Sequence, residues 1–170
     1  RGSFAKHGAD GWEIRVAGKA EATQAGKHVI VATGSSPRAL PGAGFDEKLI
    51  LSNTGALGIA EVPRRLGVVG AGVVGLEMGS VWRRLGAEVT ILEALPDFLG
   101  AVDEQIAKEA YKAFTRQGLA IHTGVNITKV TAKKTVSVEY TDSSGAAQSA
   151  TFDKLIVSIG RAPNTNGLNA

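Results

Sequence analysis

At 170 residues, 44% hydrophobic and 21% charged, the chain is long enough for one domain with a sizeable core, or for one domain and part of another. Its formal charge of +3 rests on scattered lysines and arginines, with no basic run longer than the pairs Arg64-Arg65, Arg83-Arg84 and Lys133-Lys134. That argues against a nucleic-acid partner, which needs a clustered basic face. The absence of cysteine excludes disulfides, thiolate metal sites and thiol catalysis within these residues, and no run of about eighteen apolar residues offers a membrane span.

Near the start, Trp12, Ile14 and Val16 alternate with Glu13 and Arg15, which predicts a half-exposed strand. After a polar turn containing Gly26, the apolar run of "HVIVATG" from His28 to Ala32 predicts a strand buried on both faces. Pro37, Pro41, Gly42 and Gly44 make the next stretch a loop, and the main domain boundary is expected there. Leu66 to Val69 predict a short buried strand. Val74, Met78, Val81 and Leu85 then fall on one stripe of a helix that Gly86 ends. "AEVTILE" reads as another strand. Asp103 is placed to cap a helix running through Ile106, Ala110 and Phe114 to Gln117, stopped by Gly118, and residues 119–122 form a third short strand.

Beyond that point "NITKVT", "TVSVEYT" and "ATFDKLIVSIG" are strands without intervening helices, the middle pair joined by the turn "DSSG". They predict an antiparallel meander leading into a buried final strand, Leu155 to Ile159. "HVIVATG" and "KLIVSIG" share a strand-plus-glycine ending, as if matched in two related domains. Met78 is the only methionine, so the chain is expected to be a piece of a longer protein.

The stretch "GVVGAGVVGLE" carries the chemistry. Gly70, Ala71, Gly72, Val73, Val74 and Gly75 complete a G-x-G-x-x-G that leaves a buried strand, opens a helix and is followed roughly twenty residues later by a strand ending in an acid, Glu93. Gly70 allows the tight turn, Gly72 leaves room for a pyrophosphate against the backbone, and Gly75 lets the helix lie close to the sheet. The opening N–H groups of such a helix lack partners and carry partial positive charge, which suits a diphosphate. Glu93 can accept hydrogen bonds from adenosine ribose hydroxyls. No arginine or lysine follows in "ALPDFLGA" to receive a 2′-phosphate, so NAD(H) is favoured over NADP(H). His7, His28 and His122 share no ligand or catalytic spacing and read as packing or surface residues; Ser35-Ser36 lacks a nucleophile elbow; Glu77 reads as a solvated helix position.

"HVIVATGSSPRALPG", "GVVGAGVVGLEMGSVWRRLGAEVTILEALPDFL" and "IVSIGRAPNTNGL", in this order, resemble the central portion of the flavin- and pyridine-nucleotide-dependent disulfide reductases, the second being similar to the bacterial dihydrolipoamide dehydrogenase branch. The resemblance implies an α/β chain: a Rossmann-like, three-layer NAD-binding domain with a parallel sheet, helices and an antiparallel β-meander. It implies that residues 1–41 are the late part of an FAD domain, 42–160 the NAD domain and 161–170 the start of a return into the FAD domain. Thr33, Gly34 and Ser35 would then lie near FAD. Gly70 through Leu76 and Glu77 would contact NAD, with Glu77 near the nicotinamide, Glu93 on the ribose, and Ile127 and Gly160 as further NAD contacts.

It also implies a cytoplasmic flavoprotein that oxidises dihydrolipoamide through a cysteine pair and FAD to NAD+, hydride passing between flavin N5 and nicotinamide C4. Its partners would be a second copy in a homodimer and the 2-oxo acid dehydrogenase complexes. The first FAD glycine loop, the redox C-x-x-x-x-C and the interface domain with its His-Glu pair are absent from these residues, so no catalytic residue is assigned and turnover by this chain alone is not expected. A soluble transhydrogenase, a mercuric-reductase relative and a non-catalytic NAD-sensing module remain alternatives.

Overall fold

A computed structural model describes residues 1–169, and the contacts divide the chain into two compact units: residues 1–36 with 161 onward, and residues 37–160.

In the first unit β1 (Gly2–Gly8), β2 (Gly11–Val16) and β3 (Ala22–Gly26) form an antiparallel sheet in that order, with Ile14 opposite Phe4 and Gln24. Trp12 and Ile14 are half-buried and Glu13 and Arg15 exposed, as their alternation predicts, whereas Val16 is exposed. Trp12 gathers Phe4 and His7, with ring centroids at 4.9 and 4.1 Å.

The expected strand His28–Ala32 is not one. Residues 28–34 have no regular structure, and Ile30 is 90% exposed. A strand of this kind is apolar because neighbours cover both its faces, and among the described residues no strand pairs with it. The matched glycine endings meet in another way: β4 (Ser35–Pro37), just after Gly34, pairs with β13 (Arg161–Pro163), just after Gly160.

The second unit begins with β5 (Ile50–Leu51) and α1 (Asn53–Leu57), followed by β6 (Arg65–Val69), α2 (Val73–Arg84), β7 (Glu88–Leu92), α3 (Glu104–Arg116) and β8 (Ala120–His122). Next come β9 (Asn126–Ala132), β10 (Val136–Thr141) and β11 (Ala147–Phe152), then β12 (Lys154–Val157). Strands β5-β12-β6-β7-β8 make an all-parallel sheet, and β11-β10-β9 the expected antiparallel meander.

Strand alternation divides the core between two faces. Leu66, Val68, Val89, Ile91 and Ile156 pack with Leu76 and Trp82 of α2, while Val69, Leu92, Leu155 and Val157 pack with Val136, Val138, Tyr140 and Phe152 of the meander strands. Gly67 faces the meander, where a β-carbon would come within 2.6 Å of Phe152, so its missing side chain is what lets that ring seat. Helices, parallel sheet and meander thus form the three-layer α/β arrangement expected.

Helix α2 exists where predicted but is rotated from its expected stripe. Gly75, Leu76, Gly79, Ser80 and Trp82 are buried, whereas Val74, Val81 and Leu85 are exposed, Leu85 by 55%. Apolar spacing identifies the helix, but the inward face belongs to the residues that permit the closest approach: a β-carbon on Gly79 would already sit 3.3 Å from Ile91. In α3 the Asp103 cap is as expected, its carboxylate accepting the Gln105 and Ile106 N–H groups, and Gly118 follows at φ +91°. Ala107 rather than Ile106 turns inward.

The "DSSG" turn between β10 and β11 is built on Asp142. One of its oxygens accepts the Ser144 hydroxyl at 2.6 Å and the Ser144 and Ala146 N–H groups, and the other accepts Gln148 Nε2 at 2.9 Å. The Ser144 and Gln148 side-chain bonds, with the Ala146 N–H, pull its pKa from the ordinary 3.8 to about 2. A carboxyl depressed on folding contributes its stability above the unfolded pKa and loses it as pH falls through the folded one. The Ser144 and Ala146 amide resonances are therefore expected to titrate with a midpoint near 2. A midpoint at 3.8 in an NMR titration would mean that the turn is not held this way.

Candidate nucleotide-binding site

Strand β6 delivers the chain to Gly70 at φ +104°, where a β-carbon would strike the Ser158 carbonyl oxygen, so both backbone angle and space demand glycine. The Gly70 N–H donates to Leu92 O at 2.9 Å, which fixes the turn against β7. Gly75 faces back onto this turn, and a β-carbon there would collide with Gly70 O. Gly72 differs from both. Its φ of −75° suits any residue, and nothing lies within 4 Å of where its β-carbon would stand, so the chain itself gives no reason for glycine there.

Gly72 is also the N-cap of α2 and supplies no side chain to cap it. The Leu76 N–H closes onto Gly72 O at 3.0 Å, which leaves the preceding N–H groups without an i−4 partner in the helix. With the dipole of a twelve-residue helix behind them, they form an opening suited to an anion.

Glu93 follows β7 and turns toward this loop. One carboxylate oxygen accepts the Ala71 N–H at 2.6 Å and the other the Leu95 N–H at 2.8 Å. Its backbone is fixed as well, N–H to His122 O at 2.8 Å and C=O from Val125 N–H at 3.0 Å. Charge-assisted bonds of this length are the strong ones, and they bring the acid onto the second residue of the glycine motif.

Val73 and Val74 are exposed at the opening, and Glu77 is exposed on α2. The Leu76 side chain is in the core at 2% exposure, so only its backbone is available to a ligand. Ile127, near the start of β9 and two residues past Val125, is half-buried against the meander core. Gly160, at φ +113°, lies two residues beyond Ser158 and accepts the Arg38 N–H at 3.0 Å. Gly70, Glu93 and Gly160 thus follow the carboxyl ends of β6, β7 and β12, the edge where open α/β sheets hold ligands.

Thr33, Gly34 and Ser35 belong to the first unit, where residues that the sequence did not flag hold them. Arg161 donates to Ser35 Oγ at 2.7 Å and to Ser35 O. Asn164 Nδ2 donates to Thr33 O at 3.2 Å, its N–H donates to Gly34 O, and its Oδ1 accepts the Ser36 hydroxyl at 2.8 Å. The shared strand-plus-glycine ending of the two stretches marks where this clasp lies, but not which side chains make it.

Among the described residues no cluster of three His, Cys, Asp or Glu side chains converges as a metal site, and no helix is long and apolar enough to cross a membrane. A cavity of about 650 Å³ lies apart from the motif, between residues 97–102 and α3, lined by Phe98, Leu99, Val102, Ala107 and Tyr111 with charged side chains among its walls. No motif glycine lines it, and the open helix end carries the stronger chemical signal.

A glycine whose absent side chain leaves open space, N–H groups at a helix head without a helical partner and a carboxylate on the adjoining strand end are arranged as in dinucleotide-binding α/β domains. Comparison with known proteins gives the lineage: the chain belongs to the pyridine nucleotide-disulphide oxidoreductase family, whose sequence profile matches residues 6–170. A dihydrolipoyl dehydrogenase of Cupriavidus necator is 54% identical over 168 residues, 98% of this chain and 35% of that protein. Dihydrolipoyl dehydrogenase 3 of Pseudomonas putida is 44% identical over 84% of this chain and 31% of its own length. The crystal structure of LpdA from Mycobacterium tuberculosis superposes with a TM-score of 0.80 at 27% identity, over 99% of this chain and 37% of that one. The chain thus spans about a third of the length of these relatives.

Proposed function

We propose that residues 42–160 form the NAD(H)-binding domain of a dihydrolipoamide dehydrogenase, with residues 1–41 and the segment from 161 onward belonging to its FAD domain. The observation that carries this reading is the open position at Gly72, the N-cap of α2, with Glu93 hydrogen-bonded to the same loop. In this reading the N–H groups that open α2 hold the diphosphate, Gly72 allows its approach, and Glu93 accepts the ribose hydroxyls.

Glu77, exposed on α2, faces the nicotinamide end, and Ile127 and Gly160 line the remaining path. Thr33, Gly34 and Ser35 flank FAD. When bound, the two cofactors supply the hydride chemistry between dihydrolipoamide and NAD+, while these residues bind and orient. The 170 residues contain no cysteine, so they do not themselves oxidise a dithiol. The whole enzyme would work in the cytoplasm as a homodimer serving 2-oxo acid dehydrogenase complexes.

Glu93 also sets the choice of nucleotide, because a carboxylate repels a 2′-phosphate and residues 94–101 offer no cation to receive one. Titration calorimetry is expected to show NADH binding at least about tenfold more tightly than NADPH. Equal affinities would overturn the assignment of Glu93 to the ribose.

A further inference from the structure

We propose that Asn166 is a site of spontaneous, one-way covalent modification: deamidation through a cyclic imide formed with the backbone nitrogen of Gly167. The chain has five asparagines, and only Asn166 precedes glycine; Asn53, Asn126, Asn164 and Asn169 precede Thr, Ile, Thr and Ala. Glycine puts no β-carbon beside the attacking nitrogen, so the five-membered ring can close with least obstruction.

The structure adds three conditions that sequence does not show. Asn166 and Gly167 are exposed in a turn closed by the Leu168 N–H on Thr165 O at 3.1 Å, so water reaches both. Among the described residues the Asn166 side-chain amide takes part in no hydrogen bond, and the Gly167 N–H donates none, so neither reacting group is held elsewhere. The Arg1 guanidinium donates to Asn166 O at 2.8 Å and lies over Gly167, where a β-carbon would collide with it. A fixed cation there favours the deprotonated Gly167 nitrogen, the form that attacks.

The step balances without an outside oxidant or reductant. Gly167 N loses its proton to water or hydroxide and bonds to Asn166 Cγ, and the side-chain nitrogen leaves as ammonia. Water then opens the imide at one of its two carbonyls, giving aspartate or iso-aspartate at position 166. Either product places a new carboxylate beside Arg1. The iso-aspartate route also lengthens the main chain by one methylene, two residues before the Leu168 carbonyl that accepts the Phe4 N–H at 2.7 Å, and so loosens the hold of this segment on β1.

The test is peptide mass spectrometry of the 170-residue chain after timed incubation at mildly alkaline pH in 18O-labelled water, with an iso-aspartate-specific methyltransferase assay as a second readout. Asn166 is expected to convert at least about tenfold faster than the other four asparagines, with 18O retained at that residue and rates rising with pH. Arg1→Gln is expected to slow it by about twofold or more without changing the circular dichroism spectrum. Conversion at Asn166 no faster than at Asn53 or Asn126, or 18O incorporation spread evenly over the asparagines, would overturn the proposal. An unchanged rate in Arg1→Gln would remove the guanidinium from it.

Discussion

Valine in place of Gly72 is expected to abolish NADH binding and leave the fold in place. The backbone there is at φ −75°, a region valine adopts freely, and no atom lies within 4 Å of the new β-carbon. The cost to the free protein is then confined to a less favourable N-cap, about 1 kcal/mol or less. For the ligand the same side chain fills open space beside the head of α2, where the proposed diphosphate would lie. Hydrogen bonds to a charged group contribute about 1.5–3 kcal/mol each, so losing two weakens binding by roughly a hundredfold or more. Gly75→Ala inverts the pattern, because its methyl group meets Gly70 O inside the chain, an overpacking that costs about 1–3 kcal/mol before any ligand arrives. Thermal unfolding and calorimetry on the two variants together separate a glycine kept for a ligand from one kept for packing. Undiminished NADH binding by Gly72→Val would place the diphosphate elsewhere.

That distinction bears on how much the sequence discloses. The motif spacing predicts which residues make the turn, and the apolar runs predict β6, β7, β12 and both long helices, because those signals are local: a buried strand is apolar, a helix cap is Asp103, a helix stop is Gly118. Two expectations failed for one shared reason, that burial is decided by neighbours. His28–Ala32 has the composition of a core strand, but among the described residues nothing pairs with it. Of the stripe Val74, Met78, Val81 and Leu85, Met78 packs against the core, but the other three are exposed, because Gly75, Gly79 and Ser80 let the neighbouring face come closer to the sheet. The Arg161 and Asn164 clasp was illegible for another reason, since its hydrogen bonds join residues more than a hundred positions apart.

Glu93 is the residue whose removal is expected to act on both the free protein and its complex. Its two carboxylate oxygens face two N–H groups, those of Ala71 and Leu95, and both must accept. Glutamine, though of the same shape, can turn only one acceptor toward them and sets its amide NH2 against the other donor. Glu93→Gln is therefore expected to destabilise the nucleotide-free protein by about 1–3 kcal/mol, the cost of a donor left unsatisfied, and not to behave as a silent isostere. Glu93→Ala loses both bonds and the proposed ribose acceptor, and NADH affinity is expected to fall by about thirtyfold or more. An adenosine diphosphate lacking the 2′- and 3′-hydroxyls separates the two roles. If the carboxylate only grips the ribose, this analogue binds wild type and Glu93→Ala alike; if it also holds the glycine loop through Ala71, the analogue too binds the variant more weakly, by about three- to tenfold for one bond. A Glu93→Gln protein that melts with wild type would show that the loop keeps its shape without the acid, and Glu93 would then act on the nucleotide alone.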